Sequence, residues 1–386
     1  MRKNRSLNIL FVGAGQGGSR QAAEFGNLYD YVSLSMNTAE VDELHSQIGL
    51  RRRLHLDTGI DGAGKNLQLG ESAVKKNRKK IIDFLKLYVT PEIDYIIVCV
   101  GGGGGTGSGG LIPLIEILKD FGKPIGVIYT LPLKSEDTIT HRNCLFILKK
   151  VFEDNEVSPL VIVDNAKIAL KYPNLSAMDR WSHVNQYIAR GFHIFNMLTS
   201  YASEIHSLDM ADYEMILRAG GCMALGEAVV PRITEPEILA EKMRDSISSG
   251  LLADGFDLAT TKRAGIILRG STKALRSIKA ADMDYALDHI REIVRGGTVY
   301  RGIYPTDSRD DELFIYSMFG GLDLPMKRIQ TMMESTKEGL ESLQKKKSRD
   351  VVFDLETNLD SSIADEGIDP LLKFIRDKIS GEEDEF

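Results

Sequence analysis

Ten residues constrain this chain more than any others: Gly101-Gly102-Gly103-Gly104-Gly105-Thr106-Gly107-Ser108-Gly109-Gly110. They stand directly between the apolar run Asp94–Val100, which reads as a buried strand, and the helical pattern Leu111–Leu118. Glycines let backbone N–H groups close on an anion, and the N-terminus of the following helix adds the positive end of its dipole. Thr106 and Ser108 add hydroxyl donors. A flexible linker has no need of a strand and a helix abutting it without a spacer, so the segment is read as a phosphate cradle. It is not a Walker loop, because no Gly-Lys-Ser/Thr closes it.

Leu7–Val12, Tyr31–Met36, Lys123–Leu131 and Pro159–Val163 are further short apolar runs separated by helical stretches, one of them expected over Gly18–Phe25. This is the pattern of an α/β fold whose parallel sheet is covered on both faces. Trp181, Val184, Ile188, Phe192, Phe195 and Leu198 then step by three or four, which places them on one face of a long helix able to connect two domains. Beyond it, Arg263–Arg269 and Leu313–Phe319 read as strands, and Ala280–Val294 and Pro325–Lys347 as helices. At 386 residues the chain is long enough for two domains with separate cores. After Arg349 acidic residues outnumber basic ones, giving a mobile acidic tail with one amphipathic segment, Pro370–Ile379.

The formal charge of -7 argues against a nucleic-acid coat over the whole surface and leaves room for a local basic patch. The basic clusters Arg51-Arg52-Arg53 and Lys75-Lys76 with Lys79-Lys80 read as solvated faces or as contacts to an acidic neighbour, with no direct nucleic-acid binding expected. Cys99, Cys144 and Cys222 form no CxxC and read as buried thiols of a reducing compartment. The seven histidines show no metal-ligand spacing. No run of about eighteen apolar residues occurs, and Leu7–Val12 is too short for a signal-peptide core. The expectation is a cytoplasmic protein with no membrane insertion.

A second glycine turn, Gly13-Ala14-Gly15-Gln16-Gly17-Gly18, also follows a strand and opens a helix. A dinucleotide site wants an acidic residue at the end of the second strand. Here that strand ends Met36-Asn37-Thr38, which suits a phosphate- or water-binding loop, so an NAD-dependent oxidoreductase is set aside. In chain order come the turn with Gln16, then Asn37-Thr38, then Gly62-Ala63-Gly64-Lys65-Asn66, then the long glycine loop, whose Gly103–Gly109 resembles the tubulin signature. Over residues 7–325 the chain resembles the tubulin/FtsZ superfamily. Leu131-Pro132 through Glu136, Val163–Lys167 and Gly320–Pro325 resemble its TubZ branch, carried by plasmids and phages.

The resemblance implies a two-domain α/β fold: a Rossmann-like GTP-binding domain (1–178), a central helix (179–204), a second α/β domain with the catalytic loop (205–324), a C-terminal helix (325–348) and the tail (349–386). It implies GTP and GDP as ligands. Gly15, Gln16 and Gly17 would meet the inner phosphates, beside Asn37, and Gly102, Gly103, Gly104, Gly105, Thr106, Gly107 and Ser108 the outer ones. Gly64, Lys65 and Asn66 would sit beside the γ-phosphate, Lys65 as a point charge. Pro132 and Glu136 would lie at the ribose, with Arg142 reaching the same region. Asn165 and Asn185 would read the guanine edge, since an amide both donates and accepts. Trp181, one turn before Asn185, would stack on the base or simply pack in the helix face.

His206-Ser207-Leu208-Asp209-Met210-Ala211-Asp212 resembles the loop that, in this family, inserts above the nucleotide of the next subunit. Two carboxylates three apart, with no basic residue between them, suit the polarising of water. Asp212 is the first choice and Asp209 the second, whose alternative is a plain helix cap. Many relatives carry Asn where this chain has Ser207. The resemblance implies a head-to-tail polymer that would hydrolyse GTP with Mg²⁺ at subunit junctions and would move plasmid or phage DNA through a DNA-bound adaptor gripping the C-terminal helix or tail. The alternatives are a cell-division ring and a GTP-binding regulator that does not polymerise.

Overall fold

Continuous apolar runs pair side by side when both faces of a sheet are covered, and the N-terminal half builds its sheet this way. The structure, a computed structural model, describes residues 4–39, 48–59, 62–230, 236–248, 255–307 and 312–347. Strands β1 (Ile9–Ala14), β2 (Val32–Asn37), β3 (Arg53–His55), β4 (Tyr95–Gly101), β5 (Ile125–Leu131) and β6 (Val157–Asp164) lie parallel in the order β3-β2-β1-β4-β5-β6. Helices Gly15–Tyr29, Gly110–Lys119 and Thr138–Glu153 are among those joining them. Strand order reverses between β1 and β4, and such a switch point opens a crevice at the carboxyl ends of the strands. Both glycine turns begin there, at Ala14 and Gly101.

The central helix spans Ala177–Leu198 and is about 33 Å long. Ser176 caps it, its hydroxyl accepting from the Asp179 N–H at 3.0 Å. Val184, Ile188, Phe192, Phe195 and Leu198 are buried, as their spacing requires. Phe192 meets Phe11 and Phe25 edge-on, and burying each such ring contributes about 1.5–3 kcal/mol. The helix stops at Leu198 and does not reach Ser203: the Thr199 and Ser200 hydroxyls bond back to Phe195 O and Met197 O, competing with the ladder. Its last turn lies at the amino end of β1, where Asn196 bonds both Leu7 N and Leu7 O at 2.8 Å and Thr199 meets Ser6. The helix therefore runs against the strands, away from the crevice.

In the second half, β7 (Cys222–Val230), β8 (Arg263–Ser271), β9 (Thr298–Thr306) and β10 (Leu313–Leu322) take the order β7-β10-β8-β9, antiparallel except for the β8–β9 pair. β7 docks parallel on β6 through Leu160↔Cys222 and Val161↔Met223. The sheet is thus continuous over ten strands, and one hydrophobic cluster runs through both halves. Separate cores were the expectation. The seam defeats it because Leu160, Val161, Cys222 and Met223 are all buried there.

The C-terminal helix is Met326–Lys347. The tail from 349 to 386, with Pro370–Ile379, lies outside the described residues. Among the described residues no helix is long and apolar enough to cross a membrane. The three cysteines are buried and unpaired by disulfides, and burial pushes the Cys144 thiol up to about 12.

Candidate active site

The crevice at the carboxyl ends of β1 and β4 is an open cleft of about 570 Å³. Its described lining joins the first turn (Gly15, Gln16, Gly17), the end of β2 (Asn37, Thr38), Lys65, the glycine loop (Gly102, Gly104, Gly105, Thr106, Gly107), and Pro132, Glu136 and Asn165. Sequence segments separated by more than a hundred residues therefore meet on one cavity. Ala14, Ala39, Gly62, Ala63, Gly101 and Thr130 also line it, and of these Ala39 and Thr130 lie in none of the site motifs that the sequence offers.

The loop owes its shape to two close approaches. Gly15 has φ +67, and a Cβ there would lie 3.0 Å from Gly107 N, so the two glycine turns touch backbone to backbone. Gly103 has φ +93, and its Cβ would lie 2.5 Å from Thr140 O. Gly105–Gly109 winds as one π-type turn before the helix from Gly110 begins, an irregularity frequent at functional sites. The Thr106 hydroxyl bonds that of Thr38, which ties the loop to the end of β2.

Ser108 does not offer its hydroxyl to the cleft. It is wholly buried, accepts from Gly103 N–H at 2.7 Å and donates to Gly101 O at 3.2 Å, so it staples the loop from behind. Asn66 likewise caps the helix Leu67–Lys76 by accepting from Leu69 N–H. Gly64, Gly103, Arg142, Trp181 and Asn185 are also absent from the cleft lining. Arg142 bonds Asn143, and Trp181 and Asn185 stay half-buried on the central helix.

Lys65 pairs with Asp137 at the cleft rim, both half-exposed. Burial alone would raise the Asp137 carboxyl, but hydrogen bonds from Lys65 and from Thr140 outweigh it and hold it down at about 2. Asn143 Nδ2 donates to Lys65 O at 2.9 Å and fixes the backbone that carries this lysine. Glycine N–H groups, a helix start and one lysine fit a polyphosphate. For magnesium the fit is different: Glu136 is the one carboxylate among the described lining residues, and no cluster of three ligand side chains occurs among the described residues. A magnesium ion would be held there chiefly by phosphate oxygens.

Asp209 and Asp212 lie elsewhere. Asp209 caps the helix Met210–Leu217 with Oδ1 on Asp212 N–H at 2.9 Å, and Asp212 Oδ2 accepts from Asp209 N–H at 3.3 Å. The simple capping role foreseen for Asp209 is present, and Asp212 shares it. Burial, then the neighbouring Asp209 charge, raises the Asp212 carboxyl above the ordinary aspartate value, a direction that suits a proton acceptor. The loop before them is pinned from behind by a residue with no sequence signal: Tyr304 on β9 accepts from Leu208 N–H at 3.1 Å and donates to Leu208 O at 2.8 Å. Ser207 accepts from Ser203 N–H at 2.8 Å, so it closes the loop on itself. Asp209, Ser207, Ser6 and Thr199 line a common depression, which places the acids at the amino end of β1. The cleft is at the opposite end of that strand.

Residues 8–172 match the model of the tubulin/FtsZ family GTPase domain. The tubulin-like protein TubZ of Bacillus cereus is 27% identical, over 90% of this chain and 87% of that protein. The tubulin-like protein CetZ of Thermococcus kodakarensis is 26% identical, over 89% of each. Among solved structures, a GTPγS-form protofilament of Bacillus thuringiensis TubZ superposes with a TM-score of 0.79 at 21% identity, over 89% of this chain and 95% of that one. The GTPγS-bound protofilament of Haloferax volcanii CetZ2 gives 0.74 at 22%, over 88% and 100%. Residues 8–172 thus match the tubulin/FtsZ family GTPase domain, and over most of its length the chain is similar to tubulin-like proteins of the TubZ and CetZ kinds.

Proposed function

We propose that this protein is a GTP-dependent polymer-forming GTPase that hydrolyses GTP where the acid loop of one subunit meets the cleft of the next. The observation that carries this reading is the separation of the two half-sites. The phosphate-binding cleft opens at the carboxyl end of β1, whereas Asp209 sits with Ser6 beyond its amino end. Within one chain the carboxylates and the nucleotide cleft therefore lie at opposite ends of the strand. A head-to-tail copy would bring them together, and relatives of this fold are described as protofilaments.

In this scheme residues 1–178 hold GTP, 179–204 form the spacer, 205–324 present the acids, and 325–348 form the C-terminal helix. The backbone of Gly104 to Gly107 and of Gly15 to Gly17 binds phosphate, Lys65 faces the outer phosphate, and Asn165 contacts the base. Asp212 orients water for attack on the γ-phosphate, and Asp209 supports it through the shared cap. The work we assign to the polymer is movement of plasmid or phage DNA through an adaptor. The TubZ relative supports this, and a fold neighbour with a TM-score of 0.74 is described as a type III plasmid segregation TubZ.

Right-angle light scattering and phosphate release with GTP and Mg²⁺, for the wild type and Asp212→Ala, test the reading. The expected result is assembly above a threshold concentration, phosphate release and disassembly for the wild type, and persistent polymer with release down at least about a hundredfold for the variant. Phosphate release that is linear in protein and indifferent to Asp212 would sink the split-site mechanism.

A further inference from the structure

Arg328, in the first turn of the C-terminal helix, is buried at 7% side-chain exposure and reaches two groups at once. Its Nε donates to Asp164 Oδ2 at 2.8 Å and its Nη2 donates to Pro132 O at 3.1 Å. Asp164 is the last residue of β6, pairs in register with Leu131 at the end of β5, and is 3% exposed. Its other oxygen caps the helix Asn165–Lys171 through Ala166 N–H at 3.0 Å. Pro132 and Asn165, the residues that follow the two strands, both line the cleft.

The fork of one guanidinium thus spans two neighbouring parallel strands just where their own hydrogen-bond ladder ends. A buried ion pair is a poor source of net stability, because desolvation offsets most of the attraction. Two acceptors, one on Pro132 in the cleft wall and one at the end of β6 just before Asn165, give this pair a geometric task. We propose that Arg328 is a positioning residue for the base end of the cleft: it fixes the spacing of the Pro132 and Asn165 loops, and so sets discrimination between guanine and other bases. The C-terminal helix and the bound nucleotide are then coupled through this side chain, and by linkage whatever moves one shifts the affinity of the other. The inference rests on the guanine-nucleotide reading above and deepens it.

The test uses the full chain as wild type, Arg328→Met and Arg328→Lys, with GTP and ATP competing against a fluorescent GTP analogue. Lysine keeps the charge but can serve only one of the two acceptors. The ratio of ATP to GTP dissociation constants is expected to fall about tenfold or more in both variants, because a small misplacement of a contact is felt strongly. A merely structural role would lower the melting temperature and weaken both nucleotides alike. An unchanged ratio in a folded variant overturns the proposal, and Arg328→Lys decides the matter should Arg328→Met fail to fold. A wild type without preference for GTP over ATP would instead overturn the guanine reading beneath it.

Discussion

Asp137 holds two kinds of partner on its two oxygens. Oδ1 accepts from the N–H and the hydroxyl of Thr140, capping the helix Thr138–Glu153, while Oδ2 meets Lys65. Asp137→Asn keeps the capping oxygen and removes only the ion pair, so it isolates the latter. Both side chains are about half exposed, and the cost at neutral pH is expected to stay below about 1 kcal/mol. Because the folded carboxyl sits at about 2 against an ordinary 3.8, the pair's contribution is fully present above about pH 4. It is lost as pH falls through about 2. Urea unfolding of both proteins at neutral pH and in that acid window should show the gap open and then close. The same substitution frees Lys65 to face a phosphate, so GTP affinity is expected to rise severalfold relative to GDP; a ratio that stays put would show that Asp137 does not compete for the lysine. None of this was legible in the sequence, since Lys65 was readable as a phosphate partner but its pairing across 72 residues was not.

Among elements, the loop from Ser203 to Asp209 carries the acids, and β9 holds it. Tyr304→Phe deletes one hydroxyl that both accepts from and donates to Leu208, a loss of about 1–2 kcal/mol. The cleft does not include this loop. Phosphate release per polymerised subunit is therefore expected to drop severalfold while GTP affinity stays as in the wild type, and an affinity that falls with it would relocate the role of Tyr304. The glycine loop, its flanking strand and its following helix were readable because their signals are local: an apolar run, a glycine run and a helical period in sequence. Strand β9, with Arg301, Gly302 and Pro305 breaking its apolar character, gave no such run, and neither did the small residues Ala224, Gly226 and Ala228 of β7. Tyr304 and Arg328 act across 96 and 164 residues, which no spacing rule reaches. Ser108 misled for the opposite reason: a hydroxyl in a phosphate loop reads as a ligand, yet the loop needs an internal acceptor to hold its turn.

For the molecule as a whole, the continuous sheet decides how the half-sites are related. Cleft and acids sit at opposite ends of β1, and the central helix packs along the sheet between them through Phe192 and Phe195. In the scheme proposed above hydrolysis belongs to the junction and not to the subunit, and mixing tests it. In an equal mixture of wild type and Asp212→Ala, each nucleotide is served by the acids of a neighbour drawn from either population. About half of all junctions lose their water-orienting carboxylate, whichever protein bound the GTP. Phosphate release should therefore fall by about half relative to the same total of wild type, with wild-type and variant subunits both turning over labelled GTP when placed beside a wild-type neighbour. This can be read by loading one population with labelled nucleotide before mixing. If only label bound to wild-type subunits is hydrolysed, each chain uses its own acids and the junction model is wrong. If label bound to Asp212→Ala is hydrolysed in the mixture as fast as label bound to wild type, the acids act in trans. The separation of the two half-sites is then what converts nucleotide turnover into a clock for polymer lifetime.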